Sequence, residues 1–181
     1  SLIGIVEAIE GPVGMTDCSG EHSTCELESH CGVRGNWRHV NDVVADALRA
    51  RDEHGPVVAG QVLIYPAVDL TAPMLPAPDG KFYILSPQTR AFFNGAYLRE
   101  PAHASLPYVS PALVEDLRGL PPTLVITAEY DPLCAQGESL AARLKQDGID
   151  TVLTRYDGAI HGFASFPVPL RETALLRIAA W

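Results

Sequence analysis

The chain has 181 residues, enough for one domain with a substantial core, and 47% of them are hydrophobic against 19% charged. That balance argues against intrinsic disorder, and no apolar run approaches the roughly 20 residues of a membrane-spanning helix. A net charge of −9 with no block of Lys or Arg leaves no basic face to offset phosphates, so no nucleic-acid partner is expected.

The first forty residues show no sustained period of 2 or 3.6, and only SLIGIVEAI hints at a strand or short helix. The opening stretch has no basic start and is interrupted by Glu7 and Glu10, so the expectation is a cytoplasmic chain without a signal peptide. Cys18, Cys25, Cys31 and Cys134 lack the regular spacing of a small disulfide scaffold and read as reduced thiols. Cys18, His22, Cys25, His30 and Cys31 offer zinc-compatible donors, but there is no CxxC or HxxxH pair and His30 and Cys31 are adjacent. No metal is expected.

Beyond residue 40 the signals alternate. NDVVADALRARDEHGP (41–56) predicts a helix with Asn41 as N-cap, Val43, Val44, Ala47 and Leu48 at helical spacing, and Gly55-Pro56 as its stop. QVLIYP (61–66) is a continuous apolar run, as in a strand covered on both faces. Residues 67–80 carry four prolines and predict a loop. SPQTRAFFNGAYL (86–98) predicts a helix with Ser86 as N-cap, Pro87 at its first position, and Phe92, Phe93 and Tyr97 on one apolar side.

PTLVITAE (122–129) predicts a second strand. GESLAARLKQDG (137–148) predicts a helix with Leu140, Ala141 and Leu144 inward and Gly148 as its stop. TVLTRY (151–156) predicts a third strand, and PLRETALLRIAAW a last helix. Strand and helix alternating through short links imply an α/β fold, a parallel sheet flanked by helices.

In such a sheet, functional groups gather beyond the carboxyl ends of the strands. Asp131 follows the second strand in EYDPL, and His161 follows the third in the predicted loop DGAIHGF, 157–163. An Asp that accepts the Nδ1–H of a His fixes its tautomer and stabilises the imidazolium formed when Nε2 takes a proton. Taken singly, Asp131 equally reads as a turn former and His161 as a solvated loop residue. Their shared position makes them candidates for an acid–base pair.

QVLIYPAVDL, YVSPALVEDLRGLPPTLVITAEYDPL and LTRYDGAIHGF, in this order, resemble the C-terminal half of an α/β-hydrolase, and more specifically the bacterial hormone-sensitive-lipase-like esterases. The resemblance runs from about Asn41 to the last helix. It implies a partial α/β-hydrolase fold in which Asp131 is the acid and His161 the base of a Ser-Asp-His triad. It also implies hydrolysis of short-chain acyl esters, small-molecule substrates, and no metal or organic cofactor. Ser, then Asp, then His is the general order of the fold, and Asp131 precedes His161.

The sequence departs from that pattern at the nucleophile. No G-x-S-x-G occurs in the 181 residues, and no HGGG-type motif precedes residue 41. Laying the helix at 41–56 on the family pattern puts GNWRHV (35–40) at the elbow, with Trp37 at the serine position and His39 at the second glycine. TDCSGE (16–21) resembles an elbow with Cys18 or Ser19 as nucleophile, but lacks the leading glycine. Cys134, Ala135 and Gln136 stand where the family commonly has charged residues.

The nucleophile is therefore unknown. The expected organisation is an atypical segment over 1–40 and the C-terminal part of an α/β-hydrolase domain over 41–181. The alternative is an inactive or truncated relative, a small-ligand binder or a non-functional fragment. A half-sheet would expose apolar surface around QVLIYP, which predicts self-association.

Overall fold

The computed structural model describes residues 34–181, with side chains from Val43 onward. The expectations for SLIGIVEAI, for the cysteines and histidines before residue 34, and for TDCSGE lie outside the described residues.

Helix α1 runs Arg34–Asp52, so Asn41 lies inside it and is not its N-cap. Nothing in residues 35–40 forces a stop, since no proline interrupts them. The helix ends before Gly55. His54 takes φ 54°, and the Gly55 N–H donates to the Ala50 carbonyl at 2.8 Å, which closes the last turn in a Schellman arrangement. Val44, Ala47 and Leu48 are buried, whereas Val43 belongs to the exposed side.

Three parallel strands follow in the order β1-β2-β3: β1 is Gln61–Ile64, β2 Thr123–Tyr130 and β3 Thr151–Ile160. The register aligns Leu63, Val125 and Leu153 across the sheet, and Val62, Leu124 and Val152 one step earlier. Because side chains alternate, the two rows serve opposite faces. Leu63 and Val125 bury against Val44, Ala47 and Leu48 of α1 and against Leu140, Ala141 and Leu144 of α3 (Cys134–Gln146). Leu124, Ile126 and Ala128 bury with Tyr156, Phe163 and Ala174, the last from α4 (Pro169–Ala179). This double cover is why β2 is buried along nearly its whole length.

Helix α2 (Pro87–Tyr97) has the predicted start: Ser86 Oγ accepts from the Thr89 N–H at 3.1 Å, and Pro87 occupies the first turn. Its apolar side is narrower than expected. Phe92 is 62% exposed, while Phe93 and Tyr97 pack partly against Ala67, Leu70, Leu85 and Leu133. Arg90 fastens the helix to the proline-rich loop by donating to the carbonyls of Ala72 and Leu70, each at 2.8 Å.

Two strands differ from expectation in length. β1 stops at Ile64, because Tyr65 turns out of the extended region at φ 40°. β3 continues past Tyr156 through what reads in sequence as a loop. Gly158, at φ 73°, allows a bulge, its N–H donates to Glu129 Oε2 at 2.7 Å, and pairing resumes between Tyr130 and Ile160. α3 likewise begins at Cys134, one turn before the predicted Gly137.

Candidate active site

Asp131 follows the last residue of β2, where the chain must turn from strand to helix. The turn is built from its own atoms. The Asp131 N–H donates to the Ala128 carbonyl at 3.2 Å, its carbonyl accepts from the Cys134 N–H at 3.0 Å, and Oδ1 accepts from the Leu133 N–H at 2.8 Å. The last is an Asx turn, which orients the carboxyl group from its own backbone. The side chain is 0% exposed, so its second oxygen also requires a partner.

That partner is His161. Nδ1 lies 2.8 Å from Asp131 Oδ2, although 30 positions separate the residues. The bulge and renewed pairing at Ile160 deliver His161 to the same edge of the sheet as Asp131. A carboxylate only accepts hydrogen bonds, so the contact is satisfied with Nδ1–H donating and with the lone pair left on Nε2. The imidazole is 15% exposed. Gly162 then turns the chain at φ 81°, and the 3₁₀ turn Phe163–Ser165 drops Phe163 into the core.

Two residues escaped the sequence reading. The Tyr65 ring centroid stands 4.8 Å from that of His161, at an interplanar angle of 59°. Its φ of 40° costs roughly 1–2 kcal/mol for a side chain of this kind. A residue before proline is ordinarily extended, so no sequence signal announces this turn. Gln136, one of the departures from the family pattern, accepts at Oε1 from the N–H groups of Val68 and Asp69, at 3.3 and 3.1 Å. A neutral amide thus anchors the chain leaving β1.

Cys134 is close to Asp131 in sequence but suits a different chemistry. Burial, with Glu138 adding to it, pushes its thiol up to about 11. It is therefore a poor thiolate source. Trp37 falls in the first turn of α1, and Cys18 and Ser19 lie outside the described residues. Among the described residues, no group of three or more His, Cys, Asp or Glu could hold a metal ion. No described helix is long and apolar enough to cross a membrane.

A parallel sheet with helices on both faces and a buried Asp–His pair beyond the strand ends is an α/β-hydrolase arrangement. Residues 41–165 match the family model for the alpha/beta hydrolase fold. The chain belongs to this family, among its hormone-sensitive-lipase-like members.

The chain is 38% identical over 166 residues to the carboxylic ester hydrolase LipN of Mycobacterium tuberculosis, covering 86% of this chain and 44% of the relative. It is 33% identical over 138 residues to an arylesterase of Saccharolobus solfataricus, covering 75% and 45%. The solved structure of a Pyrobaculum calidifontis esterase superposes with a TM-score of 0.71 at 42% identity, over 77% of this chain and 47% of that one. The chain thus spans less than half the length of each of these relatives.

Proposed function

We propose that Asp131 and His161 are the acid and base of a carboxylic-ester hydrolase acting on short-chain acyl esters. The observation that carries this is the 2.8 Å contact between His161 Nδ1 and Asp131 Oδ2, made to a carboxyl group with no solvent exposure. With Nδ1 committed, Nε2 takes the proton of an attacking hydroxyl and returns it to the departing alkoxide, while Asp131 stabilises the imidazolium between the two steps. The hydroxyl belongs to the serine of an elbow, which forms an acyl-enzyme that water then hydrolyses. The esterases among the relatives support ester substrates.

Residues 41–181 supply the acid and base in this reading, and the match to LipN, over 86% of the chain, takes in residues before 41 as well. The 181 residues contain no G-x-S-x-G, so the nucleophile that His161 would serve is not identified by that motif. Replacing Trp37 by Ser and His39 by Gly turns GNWRHV into GNSRGV, an elbow pattern at the family position. The expected outcome for 4-nitrophenyl butyrate is hydrolysis by W37S/H39G, background rates for the wild type, and loss of the gain when H161A is added. Activity of W37S/H39G that survives H161A would refute the assignment.

The outer edge of β1 pairs with no strand among the described residues, and Val57, just upstream, is 98% exposed. None of residues 61–66 is exposed, so the apolar surface expected around QVLIYP is covered, and the open edge alone supports self-association. Light scattering is expected to give a mass above that of a monomer, and a clean monomer would contradict this.

A further inference from the structure

Asp131 holds His161 at one atom only, and one bond does not fix a ring. With the backbone of His161 and Nδ1 both held, the imidazole can still swing about the line joining them, and Nε2, which lies off that line, sweeps an arc. A base whose Nε2 must meet a hydroxyl within hydrogen-bond reach cannot tolerate that sweep. Some second contact has to meet the ring away from Asp131.

Tyr65 provides it. Its ring approaches the imidazole at 4.8 Å between centroids. Phe163, buried in the core, backs the Tyr65 ring edge-on at 6.0 Å and 63° and is itself backed by Tyr156 at 5.1 Å. Tyr156 and Phe163 belong to the core on the α4 face of the sheet, so the row Tyr156–Phe163–Tyr65 links that core to the ring of His161. The backbone at Tyr65 is held in the left-handed region at φ 40°, with its N–H donating to the Ile126 carbonyl at 2.6 Å. That unfavourable turn ends β1 and brings the phenol ring over the base. Strain retained at a functional site is most simply understood through what it positions.

We propose that Tyr65 is a positioning residue, whose ring, backed by Phe163, confines the His161 imidazole so that Nε2 keeps one direction. The proposal rests on the reading of His161 as the base, but its test does not require turnover. Because the left-handed backbone suits glycine, Y65G removes the ring while relieving the turn, and so separates the ring's role from that of the fold. Y65F keeps the ring and removes only the hydroxyl.

The experiment is nitrogen-15 NMR of the histidine-labelled full chain, with H161A identifying the resonance. It reads the solvent-exchange rate of the Nδ1–H and, alongside, the melting temperature. Y65F is expected to exchange at the wild-type rate. Y65G is expected to exchange about tenfold faster, the scale released by losing one aromatic contact, with its melting temperature maintained. Wild-type exchange in Y65G would overturn the proposal, as would equal acceleration in Y65F. If W37S/H39G hydrolyses ester and that activity survives H161A while the exchange pattern holds, the catalytic reading fails and the positioning stands. If W37S/H39G hydrolyses ester and Y65G leaves both exchange and turnover unchanged, the positioning fails and the catalytic reading stands.

Discussion

Replacing Asp131 separates its structural duty from its chemical one. Oδ1 accepts from the buried Leu133 N–H at 2.8 Å and Oδ2 meets His161 at 2.8 Å. D131A removes both acceptors and leaves the Leu133 N–H buried and unpaired, which together cost about 3 kcal/mol or more. D131N keeps an amide oxygen for Leu133 and a similar shape, so its loss is nearer 1 kcal/mol. Thermal unfolding followed by circular dichroism should then show D131A about 6–12 °C below wild type and D131N about 2–4 °C below.

The chemical consequence runs the other way. The Asn amide nitrogen in D131N donates toward Nδ1, so the proton moves to Nε2 and the base loses its lone pair. Nitrogen-15 shifts should report the Nε2–H tautomer for His161 in D131N and Nδ1–H in wild type. An equally stable D131A would show that Oδ1 does not hold the turn. A D131N chain that retained Nδ1–H would show that Asp131 does not set the tautomer.

Gly137 faces β2 from α3, and a Cβ there would lie 2.9 Å from Thr127 Cγ2 and 3.5 Å from Pro66 Cδ. G137A gains helix propensity but overpacks this contact, for a net loss of roughly 1 kcal/mol in urea unfolding. T127S/G137A, which deletes the opposing methyl, should recover it, and a G137A chain more stable than wild type would refute the contact. Cys134, with its thiol at about 11, should be alkylated by iodoacetamide at pH 8 about a hundredfold more slowly in the native chain than in urea, as read from its peptide by mass spectrometry. Since folding raises this pKa from 9.0, the folded state binds the proton more tightly. Its contribution is intact below about pH 9 and is lost as pH climbs toward 11. Equal alkylation rates in the two states would refute the burial argument.

The elements legible in sequence were those whose signals are local. β2 is an apolar run after two prolines, and α3 repeats Leu140, Ala141 and Leu144 at helical spacing before Gly148 at φ 81°. The start of α1 was not legible, because Gly35, Asn36 and Asn41 are all residue types found at helix starts and the helix runs through each of them. Asp157-Gly158 reads as a turn in isolation. It becomes a bulged strand only because Glu129 on β2 accepts from the Gly158 N–H, a partner 29 positions away.

The candidate site divides along the same line. Asp131 and His161 were visible because each follows an apolar strand, and their order agrees with the family pattern. Tyr65 was not visible. Its place over the imidazole depends on a left-handed turn that Tyr-Pro ordinarily disfavours, and on a Phe163 buried from the far end of the chain.

The topology also explains how the contact between Asp131 and His161 is built from β2 onward. Adjacent parallel strands lie about 4.8 Å apart, so residues just past the ends of β2 and β3 need no long reach to meet. β2 is paired on both sides, and α1, α3 and α4 close both faces of the sheet over it. Asp131 is further fixed by its own turn, and His161 by the bulge and by Gly162. None of these contacts involves a residue before β1 except the packing of α1. The resemblance, by contrast, lays the serine position on Trp37, which is in the first turn of α1. In the proposed reading, the placing of His161 and the position of the nucleophile thus belong to separate parts of the chain. W37S/H39G should therefore leave the His161 tautomer unshifted, whereas D131N must change it.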